Sequence, residues 1–224
     1  MKARQVLAVL IGLALVRGQA MAQATPGSAS IKPEAAALQR WEYTFTIDSY
    51  TGPQQALLVN PVLTADHKWL HLEARYNDEN QRTASLWVGY NFSRGDVSAD
   101  GNWEFDITPM LGGVFGRTNG IAPGYEVSLR YRKKVEASIN NEYVFDMTGK
   151  SGNFYYSWPQ VTYSPLDWLH VGAVAQHTAA YHTAISVQRG FLVGFSHRKW
   201  ELSTYVFDPG TTATIVVLEL GLSF

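Results

Sequence analysis

Charged side chains recur at every second position in several short segments of this 224-residue chain. Glu73 and Arg75 form one such pair, and Glu104 and Asp106 form another. Alternate residues of a β-strand point to the same face, so the members of each pair would lie side by side. Carboxylates collected on one face can attract cations, or they can hold guanidinium groups in ion pairs. The positions predicted to share this face are Glu73, Arg75, Glu104, Asp106, Glu126, Arg130, Arg132, Glu136, Glu142, Asp146 and Glu219, with Glu42, Asp48 and Glu201 on the same parity.

The elements that must position these residues are segments of about ten residues with alternating polarity, which are typical of transmembrane β-barrel strands. The pattern predicts an all-β, antiparallel barrel of twelve strands, with both ends of the barrel in the periplasm. The second segment is the weakest because Pro61 interrupts it, and its loss together with the first would leave ten strands. The segments lie at about 41–50, 59–66, 69–77, 83–93, 103–114, 122–132, 135–147, 153–163, 168–178, 184–196, 199–207 and 213–224.

Aromatic residues gather at one end of these segments, as expected for side chains at a membrane interface. Tight turns fall at every second connection, which is typical of the periplasmic side of such a barrel. The uncharged face is therefore predicted to contact lipid and the charged face to line the lumen, whereas a soluble barrel would reverse the two. The aromatic residues are Trp41, Trp69, Trp103, Trp168 and Trp200 at strand starts, and Phe92, Tyr131, Tyr163, Phe195 and Phe224 near strand ends.

The two ends of the sequence indicate export to the bacterial outer membrane. Lys2 and Arg4 precede an apolar run, and small residues follow at 20, 22 and 24, which predicts a signal peptide over 1–24 with cleavage after residue 22 or 24. Residues 25–40 are predicted to be a periplasmic linker or a short helix, and residues 41–224 to be the barrel. Apolar residues at alternate positions lead to Phe224, which is expected to act as a signal for the outer-membrane assembly machinery.

Composition agrees with an exported protein that has an acidic lumen. The chain contains no cysteine, so thiol chemistry and disulfides are excluded. Removal of the predicted signal peptide takes away Lys2, Arg4 and Arg17 but none of the 19 acidic residues. The exported part therefore has an excess of negative charge, and we expect no nucleic-acid partner.

Four blocks of the sequence resemble a family of uncharacterised Gram-negative outer-membrane barrel proteins. They are residues 70–77, 108–116, 142–146 and 187–190, which read LHLEARYN, TPMLGGVFG, EYVFD and VQRG. The likeness extends over most of the chain after the signal peptide. It implies the barrel fold and the outer-membrane location, and it implies no particular activity.

Two functions remain open for the charged lumen. In the first, the acids line a narrow, passive, porin-like pore for small cationic or neutral solutes. In the second, the lumen is closed by ion pairs, with Arg130 and Arg132 between Glu104, Asp106 and Glu136. The barrel is then structural and binds lipopolysaccharide or a partner. A barrel of twelve strands falls between filled barrels of about eight strands and wide channels of 16–18, so strand number does not decide the question.

A third and weaker hypothesis is a lipid-modifying enzyme of the outer membrane. The His-x-Ser pattern expected of barrel phospholipases is absent, and His71 and His170 fall on opposite sides of the predicted wall, where they cannot share a metal. Ser186 and Thr183 lie near His177 in sequence without forming a recognisable catalytic set. We therefore predict no catalytic residues, no metal and no cofactor.

Two basic residues are predicted on the outer wall. Arg189 and His177 fall on the lipid-facing parity near the extracellular end, where a cation is tolerated better than at the midplane. We expect them to contact the phosphates of lipopolysaccharide. The expected partners are thus membrane lipids and lipopolysaccharide, the assembly machinery and small solutes.

Overall fold

The computed structural model describes residues 41–53, 55–96, 102–149, 152–180 and 186–224. The predicted signal peptide and the segment 25–40 lie outside these ranges, as do Thr183 and residues 97–101. Within the described ranges, no helix is long and apolar enough to cross a membrane.

The described chain forms thirteen strand segments that close into one antiparallel barrel. The first segment pairs with the last, and β4 and β5 both pair with β6, so that these two form one strand interrupted at Asn91. The barrel therefore has twelve strands, as the sequence predicts. The strands are β1 (Glu42–Gly52), β2 (Gln55–His67), β3 (Leu70–Tyr76), β4 (Thr83–Tyr90), β5 (Phe92–Asp96), β6 (Trp103–Gly116), β7 (Gly120–Tyr131), β8 (Val135–Asp146), β9 (Phe154–Leu166), β10 (Leu169–Ala180), β11 (Ser186–His197), β12 (Trp200–Phe207) and β13 (Ile215–Ser223).

The ten-strand alternative is wrong because β2 continues through Pro61. Pro61 is opposite Ile47 of β1. On the β3 side, the ladder between β2 and β3 ends at the pair Val62 and Arg75, one residue before it would reach Pro61. Proline is tolerated where the ladder ends, because fewer neighbouring strands need its missing N–H.

Burial alternates along the strands, most regularly in β4, and identifies the two faces. In β4, Ser85 and Trp87 are 1% and 3% exposed, whereas Leu86 and Val88 are 63% and 51% exposed. Large apolar side chains such as Leu111 are exposed in the same way around the outer wall. Such a surface is unfavourable in water and typical of a barrel in lipid. Barrels of this kind span the bacterial outer membrane.

The two ends of the barrel differ in their turns. Trp41 and Phe224 lie at the same end as the tight turns, which contain the positive-φ residues Lys68, Lys133 and Arg198. Outer-membrane barrels have short periplasmic turns, so this is the periplasmic end. The predicted aromatic girdle lies here as stacked or tilted ring pairs: Trp69 with Tyr90, Trp103 with Tyr131, Trp168 with Phe195, and Tyr43 with Phe224.

Candidate functional site

The periplasmic half of the lumen contains a cluster of three acids around Arg130. The register places Arg130 of β7 between Glu104 of β6 and Glu136 of β8. Its Nη1 lies 2.5 Å from Glu104 Oε2, its Nε lies 3.3 Å from Glu136 Oε2, and its Nη2 lies 3.7 Å from Asp106 Oδ2. The three carboxylate side chains are 20–31% exposed. This cluster, which we call the vestibule cluster, is therefore accessible to water and has more acids than bases.

Arg132 does not join the vestibule cluster, although the sequence places it there. It follows the last residue of β7 and adopts a positive φ of 49° in the turn to β8. The exposed side chain donates from Nε to Asn102 Oδ1 at 3.1 Å, and its guanidinium lies over the Tyr131 ring. The turn thus takes Arg132 out of the alternation that holds Arg130 in the lumen.

A second cluster surrounds Arg75 near the extracellular end of β3. The guanidinium contacts Glu73 Oε2, Asp78 Oδ2 at 3.0 Å and Glu142 Oε2 at 3.0 Å. Its central carbon lies 4.3 Å from the ring centroid of Trp87. All four charged side chains are at most 3% exposed. Arg75, Glu73 and Glu142 were predicted to share the lumen, and the structure brings them into direct contact.

A polar chain extends from this second cluster towards the periplasmic end. His71 is fully buried, and its Nδ1 and Nε2 each lie 2.8 Å from a carboxylate oxygen, of Asp66 and Glu73 respectively. Glu73 in turn contacts Arg75. Both ring nitrogens are thus engaged with acids, which fixes the imidazole against the wall.

Asp78 and Glu79 belong to the same cluster and were missed from the sequence. They lie in the connection between β3 and β4, which folds into the lumen. Asn77 begins this fold with a φ of 62°, and its side chain accepts the backbone N–H of Arg82 at 2.8 Å. Burial raises the pKa of the Asp78 carboxyl well above its usual range, although the adjacent Arg75 guanidinium opposes the rise. The only signal in the sequence is the acidic pair directly after the charged face of β3.

Aromatic side chains occupy another part of the lumen. The Trp158 ring packs edge-on against Tyr205 and Phe207, with centroids 5.4 and 5.1 Å apart. All three are almost fully buried. The Tyr205 hydroxyl lies 3.4 Å from a carboxylate oxygen of Glu219, which is opposite the buried Asp48 in the β1–β13 register. This aromatic cluster narrows the space inside the barrel.

The remaining predicted lumen acids lie apart from these clusters. Glu126 on β7 accepts a hydrogen bond from Asn140 Nδ2 at 3.3 Å. Asp146 ends β8 and accepts from both the backbone N–H and the hydroxyl of Thr148. Asp146 therefore holds an extracellular loop rather than either ionic cluster.

One histidine contact bears on the enzyme hypothesis. His170 Nε2 lies 3.1 Å from Ser203 Oγ and 3.4 Å from Glu201 Oε1. In a catalytic triad the acid holds the ring nitrogen that the nucleophile does not contact. Here the serine and the acid both meet Nε2, so the arrangement lacks that geometry.

The outer wall has an open apolar groove of about 630 Å³ that extends across β7 to β11. Its lining includes the small outward residues Ala137, Pro159 and Ala173. Arg189 lies at its β11 edge, opposite Ala175 in the register. A cation thus stands beside an apolar depression on the lipid-facing wall.

Arg189 and His177 occupy the predicted outer positions on neighbouring strands. Arg189 is exposed, and its backbone N–H donates to Asp208 Oδ1 at 3.1 Å. His177 is paired with Val187, and this pair is the next outward-facing one beyond Ala175 and Arg189 towards the extracellular end. Its ring packs edge-on against Tyr155, so it is less available to a ligand than Arg189.

No protein-family model and no curated protein matches this chain. Among solved structures it is similar to the KdgM porin, with a TM-score of 0.52 and 12% identity over 82% of this chain and 99% of that chain. A KdgM porin in complex with disordered oligogalacturonate gives a TM-score of 0.51 and 9% identity, over 82% and 98% of the two chains. The NanC porin gives 0.52 and 12% identity, over 81% and 98%. The chain therefore has the fold of these porins, and at such low identity the similarity extends to the fold alone.

Proposed function

We propose that this protein is a narrow, passive channel for small cationic or neutral solutes across the outer membrane. The observation that carries the proposal is the vestibule cluster, where three carboxylates surround the single cation Arg130 and remain accessible to water. Rings of carboxylates favour the passage of cations, because they replace part of the hydration that a cation loses in a narrow space.

The charge of the lumen predicts a different solute from the one bound in one similar structure. The KdgM porin binds oligogalacturonate in that complex, and this saccharide is acidic. In the described lumen of this chain, acids outnumber bases in both ionic clusters. We therefore expect acidic saccharides to be repelled, since like charges in a confined space raise the barrier to passage.

A swelling assay with liposomes tests the proposal. Liposomes that contain the refolded barrel should swell faster in arginine or a neutral sugar than in glucuronate at equal osmolarity. The double variant Glu104→Gln and Glu136→Gln should reduce the preference for arginine over glucuronate. Arg132→Gln is the matched control, because it changes a charge in the turn outside the cluster. Equal rates for all three solutes would contradict charge selectivity, and no swelling would contradict the channel.

The second candidate is a closed structural barrel that binds lipopolysaccharide, and the cation at the outer groove favours it. Arg189 stands where a lipid phosphate could meet the guanidinium while an acyl chain lies along the groove. Arg189→Ala should reduce the thermal stabilisation that added lipopolysaccharide gives to the barrel in detergent. Arg198→Ala, in a periplasmic turn, should leave it intact. An equal response of the two variants would exclude this contact.

We also propose that Phe224 is recognised by the outer-membrane assembly machinery. Its backbone pairs with Tyr43 in both directions, at 2.9 and 3.0 Å, and its ring remains exposed at the periplasmic rim. Phe224→Ala should lower the amount of folded barrel in the outer membrane of expressing cells. Phe195→Ala, which removes another exposed ring of the same girdle, is the control. Equal yields of the two variants would remove the basis for a special role.

A further inference from the structure

Three buried carboxylates meet where the β3–β4 connection folds into the lumen. Asp78, Glu79 and Glu142 are 1%, 0% and 4% exposed. One carboxylate oxygen from each lies within 4.8 Å of those from the other two. Asp78 and Glu79 come from the connection and Glu142 from β8, so the group joins separate parts of the barrel.

Each of the three acids has one oxygen with a donor and one without. Asp78 Oδ2 and Glu142 Oε2 accept from Arg75, and Glu79 Oε1 accepts from Trp87 Nε1 at 3.1 Å. The other oxygen of each, Oδ1 of Asp78, Oε2 of Glu79 and Oε1 of Glu142, is buried without a hydrogen-bond partner. Buried polar atoms are almost always satisfied, so three such oxygens in one group indicate a missing partner.

The charge of the group points to the same partner. Arg75 contacts Glu73, Asp78 and Glu142, and Glu79 belongs to the same group, so four carboxylates share one guanidinium. The His71 ring adds one more base, in contact with Glu73. Carboxylates therefore outnumber bases in this group, and an ionised carboxylate needs a counter-charge where the lumen wall replaces its water. A divalent cation would supply two positive charges.

We propose that Asp78, Glu79 and Glu142 bind a hard divalent cation, with Ca²⁺ as the preferred ion. Ca²⁺ takes oxygen ligands at about 2.3–2.6 Å, so two oxygens on one ion are at most about 5 Å apart, and the observed separations agree with this. The three residues offer only carboxylate oxygens, which suit Ca²⁺ rather than Zn²⁺ or Cu²⁺. Flexible coordination also favours Ca²⁺ over Mg²⁺, since the carboxylates are already held by Arg75, Ser85 and Trp87.

The bound ion would fasten the β3–β4 connection to β8, a strand that is not paired with β3 or β4. Asp78 and Glu79 lie outside the strand ladder, whereas Glu142 is paired within β8. Coordination of all three would therefore hold the connection inside the lumen. The barrel should be more stable with Ca²⁺ than with a chelator, because the ion binds the folded arrangement and not the separated carboxylates.

Terbium luminescence tests the site directly in the full-length barrel. Trp87 donates to Glu79, so its indole can transfer excitation energy to Tb³⁺ bound beside it. The barrel refolded with Tb³⁺ should give a saturable signal that Ca²⁺ displaces. Glu79→Gln and Glu142→Gln should each weaken Tb³⁺ binding by at least about tenfold. Asp167→Asn, which neutralises an exposed acid in the periplasmic turn between β9 and β10 and outside both ionic clusters, is the matched control and should leave the signal unchanged.

Terbium binding does not depend on whether solutes pass through the barrel, so this test can fail independently of the swelling assay. The site would be overturned by a signal that is absent, by one that Ca²⁺ does not displace, or by one that Asp167→Asn weakens as much as Glu79→Gln does. A measurement on the unsubstituted barrel covers the case in which the variants do not fold. Its melting temperature in detergent should be higher in Ca²⁺ than in chelator, and equal melting temperatures would also overturn the proposal.

Discussion

Arg75 on β3 donates a hydrogen bond to Glu142 on β8, with 3.0 Å between Nη1 and Oε2, although β4, β6 and β7 lie between these strands in the wall. The contact therefore crosses the lumen instead of following the ladder. It requires a lumen narrow enough for an arginine to reach a strand four places away around the wall. The same guanidinium holds Glu73 and Asp78, so one cation organises the extracellular half of the lumen.

Arg75→Met should destabilise the barrel strongly. The substitution leaves several buried carboxylates without their cation, and removal of one partner from a buried ion pair costs about 3–5 kcal/mol. Urea unfolding in detergent, followed by tryptophan fluorescence, measures the change in the free energy of unfolding. Arg132→Met removes an exposed arginine from a turn and should change this free energy by less than about 0.5 kcal/mol. Similar values for the two variants would contradict the assigned role of Arg75.

Leu111→Arg tests the assignment of the outer face. Leu111 is exposed in the middle part of β6, and an arginine at the bilayer midplane of such a barrel costs about 2–4 kcal/mol. Leu166→Arg, at the periplasmic end of β9, should cost only about 0–1 kcal/mol, because its charge reaches the interface. Unfolding in lipid vesicles measures both variants. A larger cost at Leu166 would mean that the position of the membrane belt is wrong.

Two lumen glycines should respond differently to alanine. A Cβ at Gly194 would overlap the His170 ring, whereas a Cβ at Gly221 would meet its nearest atom, Glu201 Cβ, at 3.6 Å. Gly194→Ala should therefore cost about 1–3 kcal/mol through overpacking. Gly221→Ala should be nearly neutral. Melting temperatures of the two variants in the same detergent compare them, and an equal fall would show that the His170 contact is unimportant.

Trp158→Ala tests the obstruction of the lumen. Removal of the ring leaves a void beside Tyr205 and Phe207 and should cost about 3–5 kcal/mol in stability. The same void should widen the path for ions, so the single-channel conductance of folded barrels should rise. Val161→Ala shortens an exposed side chain on the same strand and should leave conductance unchanged. An unchanged conductance in Trp158→Ala would place the narrowest point elsewhere.

The strands could be predicted because a barrel in lipid needs one apolar and one polar face. The alternation of polar and apolar residues predicts all twelve strands. It does not predict the interruption between β4 and β5 at Asn91. There Asn91 makes hydrogen bonds to Trp69 and Asp66. Pro61 made β2 look weak because the sequence does not show where the neighbouring ladder ends.

The errors in the site share one physical cause. Side chains alternate between lumen and lipid only while the backbone remains extended, and a residue with a positive φ ends this alternation. Arg132 itself has a φ of 49° and leaves the lumen, whereas Asn77 has a φ of 62° and turns Asp78 and Glu79 into it. The ion pairs of Arg130 with Glu104 and Glu136 were predicted because all three residues lie within regular strands.

Single-channel recording in a planar bilayer, with a tenfold gradient of KCl, tests the central claim most directly. The refolded barrel should give small, stable current steps with a reversal potential on the side of cation selectivity. Neutralisation of Glu104 and Glu136 should move that potential towards zero. A barrel that is folded and inserted but passes no current, or one that prefers chloride, would contradict the proposed channel.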